Sequence, residues 1–152
     1  MDNTRWIVVG TSFSESARRA LSYAIKVAGE TGARIALTHA YEDALDPSID
    51  VAPWLYARLD AEIERSGAAR HRVHVEPILR RGAPWDKLRD VAMDLDADLI
   101  VIGTGHATDP LAAGNLMTRV ITAARRLVLV IAVRPPHARD DLSSCETSCA
   151  CS

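Results

Sequence analysis

Residues 98–119 read DLIVIGTGHATDPLAAGNLMTR. An apolar run, Leu99 to Ile102, ends in Gly103-Thr104-Gly105. A loop containing His106 follows, then Gly114-Asn115, then a segment from Leu116 with helical spacing. Strand, glycine turn, loop and helix start is a layout in which backbone N–H groups and the positive end of a helix dipole face an anion. Glycine lets the backbone approach that anion closely.

Working outward, the same alternation of short apolar run and helix-like segment fills the chain. Trp6-Ile7-Val8-Val9 reads as a first strand. Ser14 to Thr31 reads as a helix, with Ala17, Ala20, Leu21, Ala24 and Ala28 on one face and Gly29 and Gly32 marking its end. Ile35 to Ala40 is a second strand. A polar loop with Pro47 leads to a helix that Asp50 caps, with Pro53 in its first turn. Leu55, Leu59 and Ile63 form its stripe, and it ends near Gly67.

Arg72 to Leu79 is a third strand, with Val73, Val75 and Leu79 on one face. Pro77 places it at a sheet edge, because proline cannot donate to a central ladder. Gly82-Ala83-Pro84 opens a helix with Leu88, Val91, Ala92 and Leu95 turned inward. Leu99 to Ile102 is the fourth strand. Leu116, Val120, Ile121 and Ala124 stripe a last helix, and Leu127 to Val133 is the fifth strand.

Five strands joined by helices predict an α/β fold: a doubly wound, five-stranded parallel sheet of order 3-2-1-4-5 with helices on both faces. Strands one and four are then neighbours at the topological switch point. A ligand is expected above their carboxyl ends, between the loops Gly10 to Ser14 and Gly103 to Asn115.

The chain has 152 residues, 48% hydrophobic and 25% charged, with a formal net charge of −2. That composition predicts one globular domain over residues 1–136. It gives no general attraction to nucleic acid. No apolar stretch has membrane-spanning length. The amino terminus lacks a signal-peptide pattern, so the expected location is the cytoplasm. Pro135-Pro136 ends the domain. Residues 137–152 read as a disordered tail holding all three cysteines, Cys145, Cys149 and Cys151, so no disulfide is expected in the body.

Several segments together resemble the universal stress protein (UspA-like) family. Ile7-Val8-Val9-Gly10-Thr11-Ser12-Phe13-Ser14-Glu15 is similar to its opening strand and Asp-Phe-Ser. Arg81-Gly82-Ala83-Pro84 and Ala97-Asp98-Leu99-Ile100-Val101-Ile102-Gly103 resemble its second half. Arg119-Val120-Ile121 and Val128 to Ile131 resemble its end. The resemblance spans residues 4–135 and implies the adenine nucleotide alpha hydrolase-like fold.

It further implies an adenine-nucleotide site. An acidic residue at the end of strand one contacts the adenine side, and Gly-x-x-Gly, nine residues and Gly-Ser/Thr wrap the ribose and phosphates. In this chain Thr11, Ser12 and Ala40 take the adenine side, and Gly103, Thr104, Gly105, His106, Gly114, Asn115 and Leu116 take the loop. Three contacts depart from that pattern. Ser12 stands at the acidic position, His106 at the second glycine, and Asn115 at the Ser/Thr after a spacer about two residues short.

The residues themselves point the same way. A serine lacks the charge and paired acceptors of a carboxylate, and Ser12-Phe13-Ser14-Glu15 has capping-box spacing, so Ser12 or Ser14 is expected to cap the first helix. Residues 103–115 contain no Lys or Arg and include Asp109, which repels phosphate unless a metal intervenes. Pro110 removes a backbone donor. Gly103 and Gly105 also suit a tight turn without any ligand, and Asn115 suits a helix N-cap. His106 has no nucleophile partner and reads as a loop residue, and His39 reads as structural. His71 and His74 form no metal-ligand spacing with an acidic residue.

The fifth strand, Leu127 to Val133, is apolar throughout yet expected at an edge. Pairing with the same strand of a second copy would cover it. The resemblance also implies a dimer through the last strand.

These observations predict a stress-response binding or regulatory homodimer with a degenerate nucleotide loop. No cofactor is required, and ATP or another adenine nucleotide binds weakly. The chain has no catalytic residues and at most weak ATPase activity. A regulatory protein is the expected further partner, with neither nucleic acid nor membrane. Two other readings stay open: a functional ATP-binding member with slow hydrolysis, and a metal- or redox-responsive protein acting through the cysteine tail.

Overall fold

A computed structural model describes residues 5–42, 48–104 and 127–132. Its elements run β1 (Trp6–Gly10), α1 (Glu15–Thr31), β2 (Arg34–Tyr41), α2 (Ala52–Ser66), a 3₁₀ turn (Ala68–His71), β3 (Val75–Arg81), α3 (Pro84–Asp94), β4 (Leu99–Thr104) and β5 (Leu127–Ala132). The five strands form one sheet of order β3-β2-β1-β4-β5. Each neighbouring pair is parallel. This is the expected doubly wound sheet, and the reason is local. Parallel strands need long crossovers, and the helical stripes supply them.

Two apolar layers sandwich the sheet. On one face α1 and α2 bury Ala20, Leu21, Ala24, Ile25, Leu55 and Leu59 against Ile7, Val9, Ile35 and Leu37 of the strands. On the other, α3 packs Leu88, Val91 and Ala92 against Val8, Ala36, Ile100 and Ile102. Alternate residues of β1 and β2 thus feed opposite layers, which is why both strands read as continuous apolar runs. Full burial of a Leu or Ile contributes about 1.5–3 kcal/mol, so Ile25, Ile35, Leu37 and Leu59 are principal supports.

The five expected positions on the inner face of α1 are all buried, with Ser16 and Ile25 beside them. Gly32, in the left-handed region at φ 74°, ends the helix and donates its N–H to the Ala28 carbonyl at 2.8 Å. Gly29 lies inside α1 rather than at its end. The N-cap of α2 is Val51, without a side-chain cap, and not the expected Asp50. The Asp50 carboxylate, one residue earlier, accepts from the Ala52 N–H at 3.1 Å. Gly67 terminates that helix at φ 73°.

Leu55 and Leu59 are buried and Ile63 is half-buried. Their stripe also carries Glu62, whose side chain is only 8% exposed. Arg18 of α1 reaches across to it with three hydrogen bonds of 3.0–3.2 Å, and Arg65 stands 3.5 Å away. The hydrogen bonds to Glu62, then its charge, push the Arg18 guanidinium above its ordinary pKa. This ion pair joins the two helices of one face.

The third strand begins at Val75, not at Arg72. Ala68–His71 winds into a 3₁₀ turn instead, and Arg72 closes it in the left-handed region at φ 55°. The N–H groups of Arg72 and Val73 return to the carbonyls of Ala69 and Ala68, at 3.1 Å each. Those bonds satisfy the turn locally, so the extended conformation starts later. Val73 still reaches the same core layer as Leu79. Pro77 lies in the edge strand as expected, in register with Leu37.

β2 and β4 each run slightly beyond the expected strands. The helix expected from Leu116 to Ala124, Val133, and the cysteine tail lie outside the described residues.

Candidate functional site

The carboxyl ends of β1, β2 and β4 meet at the switch point. Gly10 is in register with Thr38 on one side and with Ile102 on the other. Thr11 donates its N–H to the Thr38 carbonyl at 2.9 Å, which carries the ladder one step beyond β1. The sheet therefore brings Thr11, Ser12, His39, Ala40 and Gly103 to one edge, where a doubly wound fold has its crevice. Thr104 is the last residue of β4. Gly105, His106, Gly114, Asn115 and Leu116 lie outside the described residues.

The wall made by the β1–α1 turn is rich in internal bonds. Ser14, not Ser12, is the N-cap of α1, and its Oγ accepts from the Ala17 N–H at 3.3 Å. Ser12 is exposed. Its hydroxyl lies 2.9 Å from the Ser14 hydroxyl, which lies 2.9 Å from that of Ser16. The capping box framed on Ser12 and Glu15 is not used, and Glu15 instead pairs with Arg19 one turn on, at 3.1 Å. Between the serines Phe13 adopts φ 61°. That region is unfavourable for a bulky residue and persists where surrounding contacts impose it. The Phe13 N–H donates to Thr11 Oγ1 at 3.1 Å, which tightens the turn.

His39 completes this wall. Its Nδ1 lies 2.8 Å from the Thr11 carbonyl oxygen. A carbonyl only accepts, so Nδ1 carries the proton and donates. The ring also packs on Phe13, with centroids 4.6 Å apart. The structural role expected of His39 is visible in these two contacts.

Gly103 forms the opposite wall, and its requirement is steric. A Cβ there would overlap the Ser16 carbonyl and lie 2.9 Å from the Ala17 nitrogen. The first turn of α1 thus rests directly on the backbone of β4. Gly10 is less constrained, because an added Cβ meets the flexible Leu88 side chain at 2.8 Å.

One group at this end has no counterpart in the sequence patterns. Arg58 of α2 places its guanidinium 4.2 Å from the Phe13 ring centroid and 5.1 Å from that of Trp54. Trp54 and Arg58 are four apart on one helix, a spacing visible in the sequence. Phe13 comes from a different element, and no local pattern announces it.

Strand order, parallel pairing and the two helical layers define a doubly wound α/β protein. Within that class, the family model described as "Universal stress protein family" matches residues 3–132. The chain belongs to the universal stress protein family.

Solved structures agree on the fold. A universal stress protein in complex with cAMP is 25% identical, with TM-score 0.70 over 84% of this chain and 96% of that one. The universal stress protein from Archaeoglobus fulgidus in complex with dAMP is 22% identical, with TM-score 0.64 over 86% and 99%. UspA from Lactobacillus plantarum is 22% identical, with TM-score 0.59 over 86% and 99%. Among curated proteins none matches the sequence. No helix among the described residues is long and apolar enough to cross a membrane.

Proposed function

We propose that this chain is a regulatory universal stress protein, a homodimer whose crevice takes an adenine nucleotide with weakened affinity and does not turn over ATP as its main task. Ser12 carries this reading. It occupies the position that the family resemblance assigns to an adenine-side carboxylate, and its hydroxyl is engaged with the Ser14 hydroxyl that caps α1. A serine so placed offers one neutral donor-acceptor in place of a charged pair of acceptors. The relatives holding cAMP and dAMP support a ligand with a single phosphate. Residues 103–115 offer a triphosphate neither Lys nor Arg, and the nearest cation in sequence is Arg119.

The fit of an adenine nucleotide rests on what the crevice residues supply. Ser12 is exposed at the adenine side, with Ala40 on the neighbouring strand, and the bare Gly103 backbone lies across from them. Dimerisation is supported by β5, an edge strand with β4 as its partner and an apolar sequence. Such an edge invites pairing with a second copy.

Thermal shift and calorimetry with AMP, cAMP and Mg²⁺-ATP test the ligand. A rise in Tm with AMP or cAMP at millimolar concentration, without ATP turnover, is the expected result, since a ligand that binds the folded state stabilises it. Tight Mg²⁺-ATP binding with turnover would establish the ATP-hydrolysing reading instead. No shift with any of the three sinks nucleotide binding altogether. Sedimentation of the protein and of Val130→Lys tests the dimer, with a monomeric variant expected.

A further inference from the structure

A column of stacked groups runs from the surface of α2 to the crevice. Trp54 is 60% exposed at its outer end. Arg58 lies between the Trp54 and Phe13 rings, Phe13 packs on His39, and His39 donates to the Thr11 carbonyl. Thr11 in turn accepts the Phe13 N–H through its own hydroxyl. The inner end of the column is therefore closed on the turn that presents Ser12.

We infer that Arg58, stacked between Trp54 and Phe13, is a positioning residue for the ligand-facing turn Thr11–Ser14. The inference rests on the proposed nucleotide reading for its ligand, but on geometry alone for the turn. Two observations lead to it. First, Phe13 holds a left-handed conformation at φ 61°, which an L-residue with a large ring keeps only under external constraint. Arg58, 4.2 Å from the ring centroid, and His39, with its own ring centroid 4.6 Å from it, both pack on that ring.

Second, Arg58 has no carboxylate partner among the described residues. Arg18, Arg19 and Arg65, by contrast, are ion-paired to glutamates. The aromatic faces are what hold Arg58. A planar guanidinium can stack on two rings at once, which a lysine ammonium cannot reproduce. The residue touches the turn, not the ligand, so its effect on binding acts through the placement of Thr11 and Ser12.

Arg58→Ala, Arg58→Lys and Trp54→Ala test this in the full-length protein. All three replace exposed side chains, so the fold is expected to survive with Tm close to that of the parent. In the ligand-free state, amide exchange by NMR should accelerate at Phe13 and Ser14 in Arg58→Ala and remain unchanged at Val8 and Val9. Affinities for AMP and adenosine should fall together, by about tenfold, because a displaced turn affects the base side and not the phosphate. Arg58→Lys should restore only part of the loss.

Unchanged exchange at Phe13 overturns the positioning role, as does a general loss of protection across β1 and β2. Faster exchange with unaltered affinity overturns the link to the ligand. A fall for AMP but not adenosine overturns it too, and makes Arg58 a direct phosphate ligand. A parent protein that binds neither ligand refutes the nucleotide reading. The exchange measurement then decides the role of Arg58 in the turn by itself.

Discussion

The two walls of the crevice are built on different physics. The β1–α1 wall consists of side chains with alternatives: Ser12, Ser14 and Ser16 share hydroxyl contacts, Thr11 receives two of its neighbours, and His39 braces the backbone. The β4 wall, at Gly103, has no side chain at all, because the first turn of α1 occupies the space. The difference separates a steric requirement from a position that is free to vary. Gly103 is required whether or not anything binds, whereas Ser12 can change without disturbing the sheet. Under the proposed nucleotide reading, the identity of the residue at position 12 is therefore the better guide to what the crevice would accept.

Substitutions can break this contrast. Gly103→Ala carries the largest expected effect. A Cβ against rigid helix backbone cannot be absorbed by a rotamer change, and overpacking of this kind costs about 3 kcal/mol. Urea denaturation measures it, and a variant as stable as the parent would show that the β4 wall is not sterically set.

Ser14→Ala removes the side-chain cap of α1 and should cost about 1 kcal/mol, read by the same titration. Ser12→Asp should change stability by less than about 0.5 kcal/mol, since the residue is exposed and precedes the cap. It should instead strengthen adenosine binding about tenfold, through a charged acceptor at the adenine side. Calorimetry showing weaker binding would place the ligand elsewhere. Ser12→Ala should be the smallest perturbation, with stability again within about 0.5 kcal/mol of the parent.

The fold was legible because its determinants are local or periodic. Apolar runs such as Trp6 to Val9 and Leu99 to Ile102 identify buried parallel strands, and the stripes of α1, α2 and α3 identify the crossovers. Pro77 announced its edge. The misplaced start of β3 has a physical cause as well. Val73 is buried like a strand residue, yet its backbone bonds to Ala68, and side-chain pattern does not report backbone pairing.

The candidate site was legible in part. Thr11, Ser12, Ala40 and Gly103 converge because strand order alone brings strand ends together. The choice of Ser14 over Ser12 as cap depends on where α1 begins, and helix ends shift by a residue or two at little cost. The stacking of Arg58 on Phe13 and the Arg18–Glu62 pair link positions 45 and 44 residues apart. Such contacts arise only when α2 lies beside α1. Glu62 shows the limit clearly. A charged residue on an inner stripe reads as a defect until its arginine is known.

The seating of α1 on Gly103 has a consequence for descent. A lineage that abandoned its nucleotide would still be barred from replacing this glycine, because the helix leaves no room for a side chain. The residue works as a ratchet, held in place by architecture whether or not a ligand is bound.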